Sequence, residues 1–280
     1  MGREHHARFP RRRTPAPART RTRARLSAAT GAAFLALLLT ALAALPAAAG
    51  GDGHRSQAVR AVRTHEKARE RVDRLREADA LPEAVERAEE RRKAVRSDLW
   101  DLLRARARAT GDPVAVDPSG RSGRRCPFGS RSRAPEQHST GWTAPTHRYW
   151  LSAGYAAKGS RWARRHTGQD FAVDSGTPVY AVGSGVVRVT TCGDGFGNQV
   201  LVRHGDGYFT QYAHLSRIDV RRDQRVAAGQ RLGLSGASGN VTGPHLHFEV
   251  RITPYLGSQV PPLPWLRRKD VQVSGAPALP

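Results

Sequence analysis

The residue types best suited to chemistry lie in the second half of the chain. His245-Leu246-His247 sits in an alternating run with Phe248, Val250 and Ile252. Alternate residues of a strand point to one face, about 6.5–7 Å apart along it. Two imidazoles therefore look into one space, while Leu246, Phe248 and Val250 pack the other side. That separation suits one metal ligand and one acid–base group. An isolated pair of this kind is a weak signal and needs partners elsewhere.

His166-Thr167-Gly168-Gln169-Asp170 offers them. Phe171-Ala172-Val173 and a Gly-Thr-Pro turn follow, so the segment reads as β rather than helix. Gly168 supplies the tight bend that brings His166 and Asp170 together. A His/Asp pair plus one more His gives an N/O ligand set that suits zinc and keeps a position open for water. The same donors accept other divalent metals, but an extracellular setting favours zinc. His214, in Gln211-Tyr212-Ala213-His214-Leu215, falls at a strand end and taken alone reads as structural. His204, in His204-Gly205-Asp206-Gly207, reads as a hairpin-turn residue.

The elements that must position these groups are short. From about residue 146 glycines recur every few residues, with brief apolar alternations between them. Val179–Val182, Val186–Val189, Gln199–Arg203, Tyr208–Ala213 and Leu246–Ile252 read as strands. The fold class is mainly β: an antiparallel β domain over 146–255, then a Pro-rich tail over 256–280. Upstream, 55–110 is highly charged, and its apolar positions keep helical spacing on either side of Leu81-Pro82. Val59, Val62, Val72 and Leu75 form one stripe; Val85, Ala88, Val95, Leu99 and Leu102 form the other, with Arg92 on the seam. This predicts an antiparallel helical (coiled-coil) hairpin, serving either as an arm for a partner protein or as a solvated spacer. A Ser/Gly/Pro/Arg linker over 111–145 joins the two parts.

The first 49 residues set the compartment. An Arg-rich segment precedes an uncharged stretch from Leu26 to Gly51, which contains Ala32 to Leu45 and then Pro46-Ala47-Ala48-Ala49. This is the layout of an export signal, or of an anchor if it stays uncleaved, the one case in which a membrane is a partner. Of the 280 residues, 46 are Lys or Arg and 24 are Asp or Glu, a balance of +22. Residues 1–49 hold nine Arg and one Glu, so removing them leaves +14. A 39% hydrophobic content excludes a polytopic membrane protein. The remaining basic charge suits nucleic acid, an anionic membrane surface or an anionic polymer outside the cell; charge alone does not choose among them, and nothing but charge suggests nucleic acid. The only cysteines, Cys126 and Cys192, form no CxxC, which excludes a structural zinc knuckle. Export predicts that they pair. An inhibitory Cys126 thiolate on the metal and two free thiols are the alternatives.

Taken in order, several motifs resemble one family. They are His-x-Gly-x-Asp at 166–170, Gly-Thr-Pro-Val-x-Ala at 176–181 and Tyr-Ala-His-Leu at 212–215. The last is Gly-x-x-Gly-x-x-x-Gly-Pro-His-Leu-His-Phe-Glu-Val at 236–250. The sequence is similar to the M23 (lysostaphin/LytM-type) zinc peptidases over about 146–253, especially to secreted actinobacterial members. The resemblance implies a compact β sandwich or groove holding one zinc on His166, Asp170 and His247. It implies His214 and His245 as unligated catalytic histidines, and cleavage of peptide bonds in peptidoglycan stems or cross-bridges. It places the protein outside the cytoplasm, secreted or associated with the wall. The alternative is an inactive relative that activates other wall hydrolases; such relatives usually lack metal ligands, and every expected position is filled here.

Overall fold

The computed structural model describes residues 50–116, 126–133, 141–159 and 165–274. The expected export segment and parts of the expected linker lie outside them. Helix α1 spans Gly50–Glu77 and α2 spans Pro82–Ala109. Asp79 takes a φ of 46° in the turn between them, and Pro82 opens α2, where a missing N–H costs no helical bond. A single turn, α3 (Pro113–Val116), follows. No helix among the described residues is long and apolar enough to cross a membrane.

The strands are β1 (Trp150–Leu151), β2 (Gln169–Ala172), β3 (Pro178–Tyr180), β4 (Gly185–Asp194) and β5 (Gly197–His204). They continue with β6 (Phe209–Leu215), β7 (Arg217–Ile218), β8 (Arg225–Val226), β9 (Arg231–Leu234), β10 (His245–Arg251) and β11 (Gln259–Val260). Pairing is antiparallel in the order β1-β2-β10-β6-β5-β4-β8, with β11 on β10 and a second sheet β3-β9-β7. The register decides what shares a face. His247 lies opposite Asp170 on β2 and Ala213 on β6; Glu249 lies opposite Gln211, and Arg251 opposite Phe209. Directly opposed residues point the same way. Leu246, Phe248 and Val250 therefore fill the other face with Phe171 and Tyr212, all of them fully buried.

The structure departs from the expectations in several places. Residues 256–274 are no tail: β11 and α4 (Pro262–Arg267) fold back, and Trp265, Leu266 and Val271 are buried in the main core. The hairpin is not a solvated spacer; it packs on the β domain. Leu99, Leu103 and Ala107 join the same core as the β strands. Trp100 packs against Phe209 and Tyr255, with ring centroids 5.6 and 5.9 Å away, and Tyr208 Oη donates to Glu66 at 2.6 Å. Val59, expected in the helix–helix stripe, is exposed, because the apolar surface is shared between two helices and a sheet. Cys192 belongs to β4. It is bonded to Cys126, with 5.6 Å between Cα atoms. The chain after Cys126 lies along β7: Gly129 N–H donates to Ile218 O, Ile218 N–H to Pro127 O, and Ser132 N–H to Asp219 O.

Candidate metal centre

His166, Asp170 and His247 come together at one end of the β2–β10 pair, and all three are buried. His247 Nδ1 lies 2.9 Å from Asp170 Oδ1 and 3.0 Å from His166 Nε2; His166 Nε2 lies 3.1 Å from Asp170 Oδ1. The three atoms form a nearly equilateral triangle. Metal–ligand bonds of about 2.0–2.1 Å give a tetrahedral edge of about 3.3 Å, so a small cation fits above this triangle.

The hydrogen bonds on the far sides of the rings say what the near sides offer. His166 Nδ1–H donates to the Gly154 carbonyl at 2.9 Å. His247 Nε2–H donates to Glu249 Oε1 at 3.0 Å. A carbonyl and a carboxylate only accept, so each ring spends its N–H outward and turns a lone pair inward. Two lone pairs and a carboxylate oxygen about 3 Å apart repel one another unless a cation or a proton sits among them. Burial alone disfavours a charged His247, but its bonds to Asp170 and Glu249 outweigh this and push its pKa up to about 9. Burial likewise raises Asp170, but hydrogen bonds with His166 and His247 hold it well below the usual carboxylate range. The donor set fits a borderline divalent metal such as zinc.

Gly168 is needed here for a different reason than the bend expected of it. A Cβ at this position would lie 2.4 Å from Phe248 O and 2.8 Å from His247 Cε1 and Nε2. The chain carrying His166 can pass over His247 only without a side chain.

His245 and His214 stand beside this triangle without joining it. Their ring centroids are 4.7 Å apart, and that of His214 is 5.7 Å from that of His247. His245 Nδ1–H donates to Gly243 O at 2.9 Å, while its Nε2 lies 3.7 Å from Asp170 Oδ1. His214 is held more tightly. Its φ is 62°, an uncommon conformation for a side-chain-bearing residue, its N–H donates to Phe196 O, and its Nδ1–H donates to Ser238 O at 2.8 Å. Burial, then the neighbouring His247 and His245, push its pKa down to about 3. His204 is a buried structural residue: Nδ1 meets Ser184 O at 3.0 Å and Nε2 meets Thr210 Oγ1 at 2.7 Å.

Sequence reasoning passed over Glu249 and Arg251. The signal was present, since 245, 247, 249 and 251 alternate onto one face. A polar residue at every such position of a buried strand marks a face that is not ordinary core.

A small β domain that gathers two imidazoles and a carboxylate around one point, with two more imidazoles alongside, has the layout of a metal-dependent hydrolase. Residues 164–262 match the model of Peptidase family M23, and the chain carries a domain of that family. The chain is similar to the peptidoglycan DD-endopeptidase ShyA of Vibrio cholerae, with 54% identity over 85 residues, 30% of this chain and 20% of that protein. It is 33% identical to the cell division protein DipM of Caulobacter vibrioides over 189 residues, 58% of this chain and 30% of that one. Among solved structures, the catalytic domain of lysostaphin from Staphylococcus simulans is 34% identical, with a TM-score of 0.41. That match covers 42% of this chain and 92% of the lysostaphin domain. The chain spans only about a fifth of the length of the endopeptidases it matches, 20% for ShyA and 21% for ShyC.

Proposed function

We propose that this protein is a zinc-dependent endopeptidase that hydrolyses peptide bonds in the stems or cross-bridges of peptidoglycan, acting outside the cytoplasm. The observation that carries this reading is the inward-facing triangle of His166, Asp170 and His247, with His214 and His245 beside it. The relatives named as peptidoglycan endopeptidases support the substrate class. Zinc at this site would supply a Lewis acid and lower the pKa of water toward about 7.

The chain's own groups do the rest. His245 keeps its proton on Nδ1 through Gly243 O, so Nε2 faces the site and exchanges protons with the attacking water and the leaving amine. Burial, then the neighbouring His247 and His245, hold the His214 pKa well below that of a free imidazole, which makes it a poor proton store. Its Nε2 instead orients the reacting groups beside His245. Asp170 and His247 hold their places by backbone pairing, so the site is assembled before substrate arrives.

The test uses zinc content together with mass spectrometry of defined peptidoglycan fragments. Asp170→Ala loses zinc and cleavage together. His245→Ala and His214→Ala keep zinc but lose cleavage, about 10²–10⁴-fold where an acid–base group is removed. Full lytic activity in Asp170→Ala overturns the ligand assignment. Zinc-loaded wild-type protein with no turnover on any fragment favours the activator reading.

A further inference from the structure

A chain of buried polar side chains runs away from the metal centre on the face of β10 and β6 that also meets the hairpin. His247 Nε2–H donates to Glu249 Oε1, and the other oxygen of Glu249 accepts from Arg251 Nε and from Gln259 Nε2 at 3.3 Å. Arg251 is fixed in turn: its Nη1 donates to Pro254 O at 2.7 Å and its Nη2 to Gln211 Oε1. Gln211 donates to Gln199, which donates to Asp194 at 2.7 Å. Glu249, Gln211 and Gln199 are fully buried, and Arg251 is 1% exposed. A charged pair taken this far out of water is costly, and replacing such pairs with apolar residues often stabilises a protein. Stability therefore does not explain its presence, and its position does. It ends on the one nitrogen of His247 that faces away from the triangle.

We infer that Glu249 and Arg251 are positioning residues for the metal, resting on the reading of His247 as a ligand. Glu249 fixes the proton on Nε2, so that Nδ1 presents its lone pair, and it locks the ring plane. Arg251 holds Glu249 at the one place from which it can do so. A planar guanidinium spreads its donors over Glu249, Gln211 and the Pro254 carbonyl at once, which a lysine ammonium cannot reproduce. The carboxylate also makes the imidazole a stronger donor to the metal. Arg251 further faces Phe209, which packs on Trp100 of α2. Hairpin docking on β6 and ligand orientation on β10 therefore lie on paired strands.

The test is chelator-competition measurement of zinc affinity in the full protein, with the absorption of cobalt-substituted protein as a second readout. Glu249→Gln keeps the size of the side chain but removes the carboxylate. It is expected to weaken zinc binding about 10–100-fold and to shift the cobalt spectrum, with the metal-free protein still folded by circular dichroism. Arg251→Lys is expected to weaken binding as well, by a smaller factor. If Glu249→Gln fails to fold, the double variant Glu249→Gln/Arg251→Met removes both charges, leaves neither unpaired, and carries the same expectation for zinc. Wild-type zinc affinity and an unchanged cobalt spectrum in a folded Glu249→Gln or double variant overturn the proposal. A wild-type protein that binds no zinc overturns instead the reading of the site on which it rests.

Discussion

Reducing the Cys126–Cys192 bond separates stability from activity. The bridge joins residues 66 apart in sequence. Constraining a loop of that length in the unfolded chain contributes about 4 kcal/mol in the loop-entropy model. At about 2–4 °C per kcal/mol for a domain of this size, reduction should lower the thermal midpoint by about 8–16 °C. The folded state changes little. The segment after Cys126 keeps its backbone bonds to Ile218 and Asp219, and Ser132 Oγ still donates to Arg231 O at 2.6 Å. His214, His245 and His247 lie outside the bridged segment; His166 and Asp170 lie inside it, but β2 is held by its antiparallel pairing with β1 and β10 rather than by the bridge. Activity well below the melting range should therefore show no gain on reduction. The assay pairs thiol counting on unreduced protein with thermal melts and fragment digestion, with and without reductant, and repeats them on Cys126→Ser. No free thiols are expected. A midpoint drop below about 2 °C refutes the loop-entropy magnitude. Activation by Cys126→Ser refutes the structural role and points to a thiolate that silences the metal.

Gly168→Ala should weaken zinc binding by at least about tenfold, because the added methyl meets Phe248 O and the His247 ring; chelator competition reads it. Leu103→Ala should cost about 2–5 kcal/mol in denaturant unfolding, since Leu103 is 1% exposed in the shared core. A loss below about 1 kcal/mol would mean that the hairpin is undocked in solution. His214 refuses a proton in the folded state that it accepts when unfolded, so stability is present above its unfolded pKa of 6.5 and falls as pH drops toward about 3. Metal-free protein should therefore lose about 2 kcal/mol between pH 7 and pH 5 that His214→Gln does not lose, as read by urea unfolding at each pH. Equal slopes in the two proteins would show that His214 is not buried neutral.

Local pattern determined much of this protein. Alternation placed His245 and His247 on one face of a strand, because a strand's side-chain period is two whatever surrounds it. The presence of two helices followed from charge and spacing, and Pro82 marked the break between them. The motif order was enough to identify the family. Tertiary structure decided what no local rule reaches. Register set Asp170 opposite His247 rather than one residue along, where it would have faced the core. Trp265 and Leu266 looked like part of a Pro-rich tail until the sheet offered them a surface to cover. The apolar stripe of α2 is too sparse to say whether it closes on α1 or on a sheet, and contacts such as Trp100 with Phe209 and Tyr255 answer that. Glu249 and Arg251 read as ordinary strand residues until His247, Gln211 and Pro254 surround them. Hydrogen-bond direction, and with it the tautomer of each histidine, belongs to the neighbours that folding brings in from distant parts of the chain.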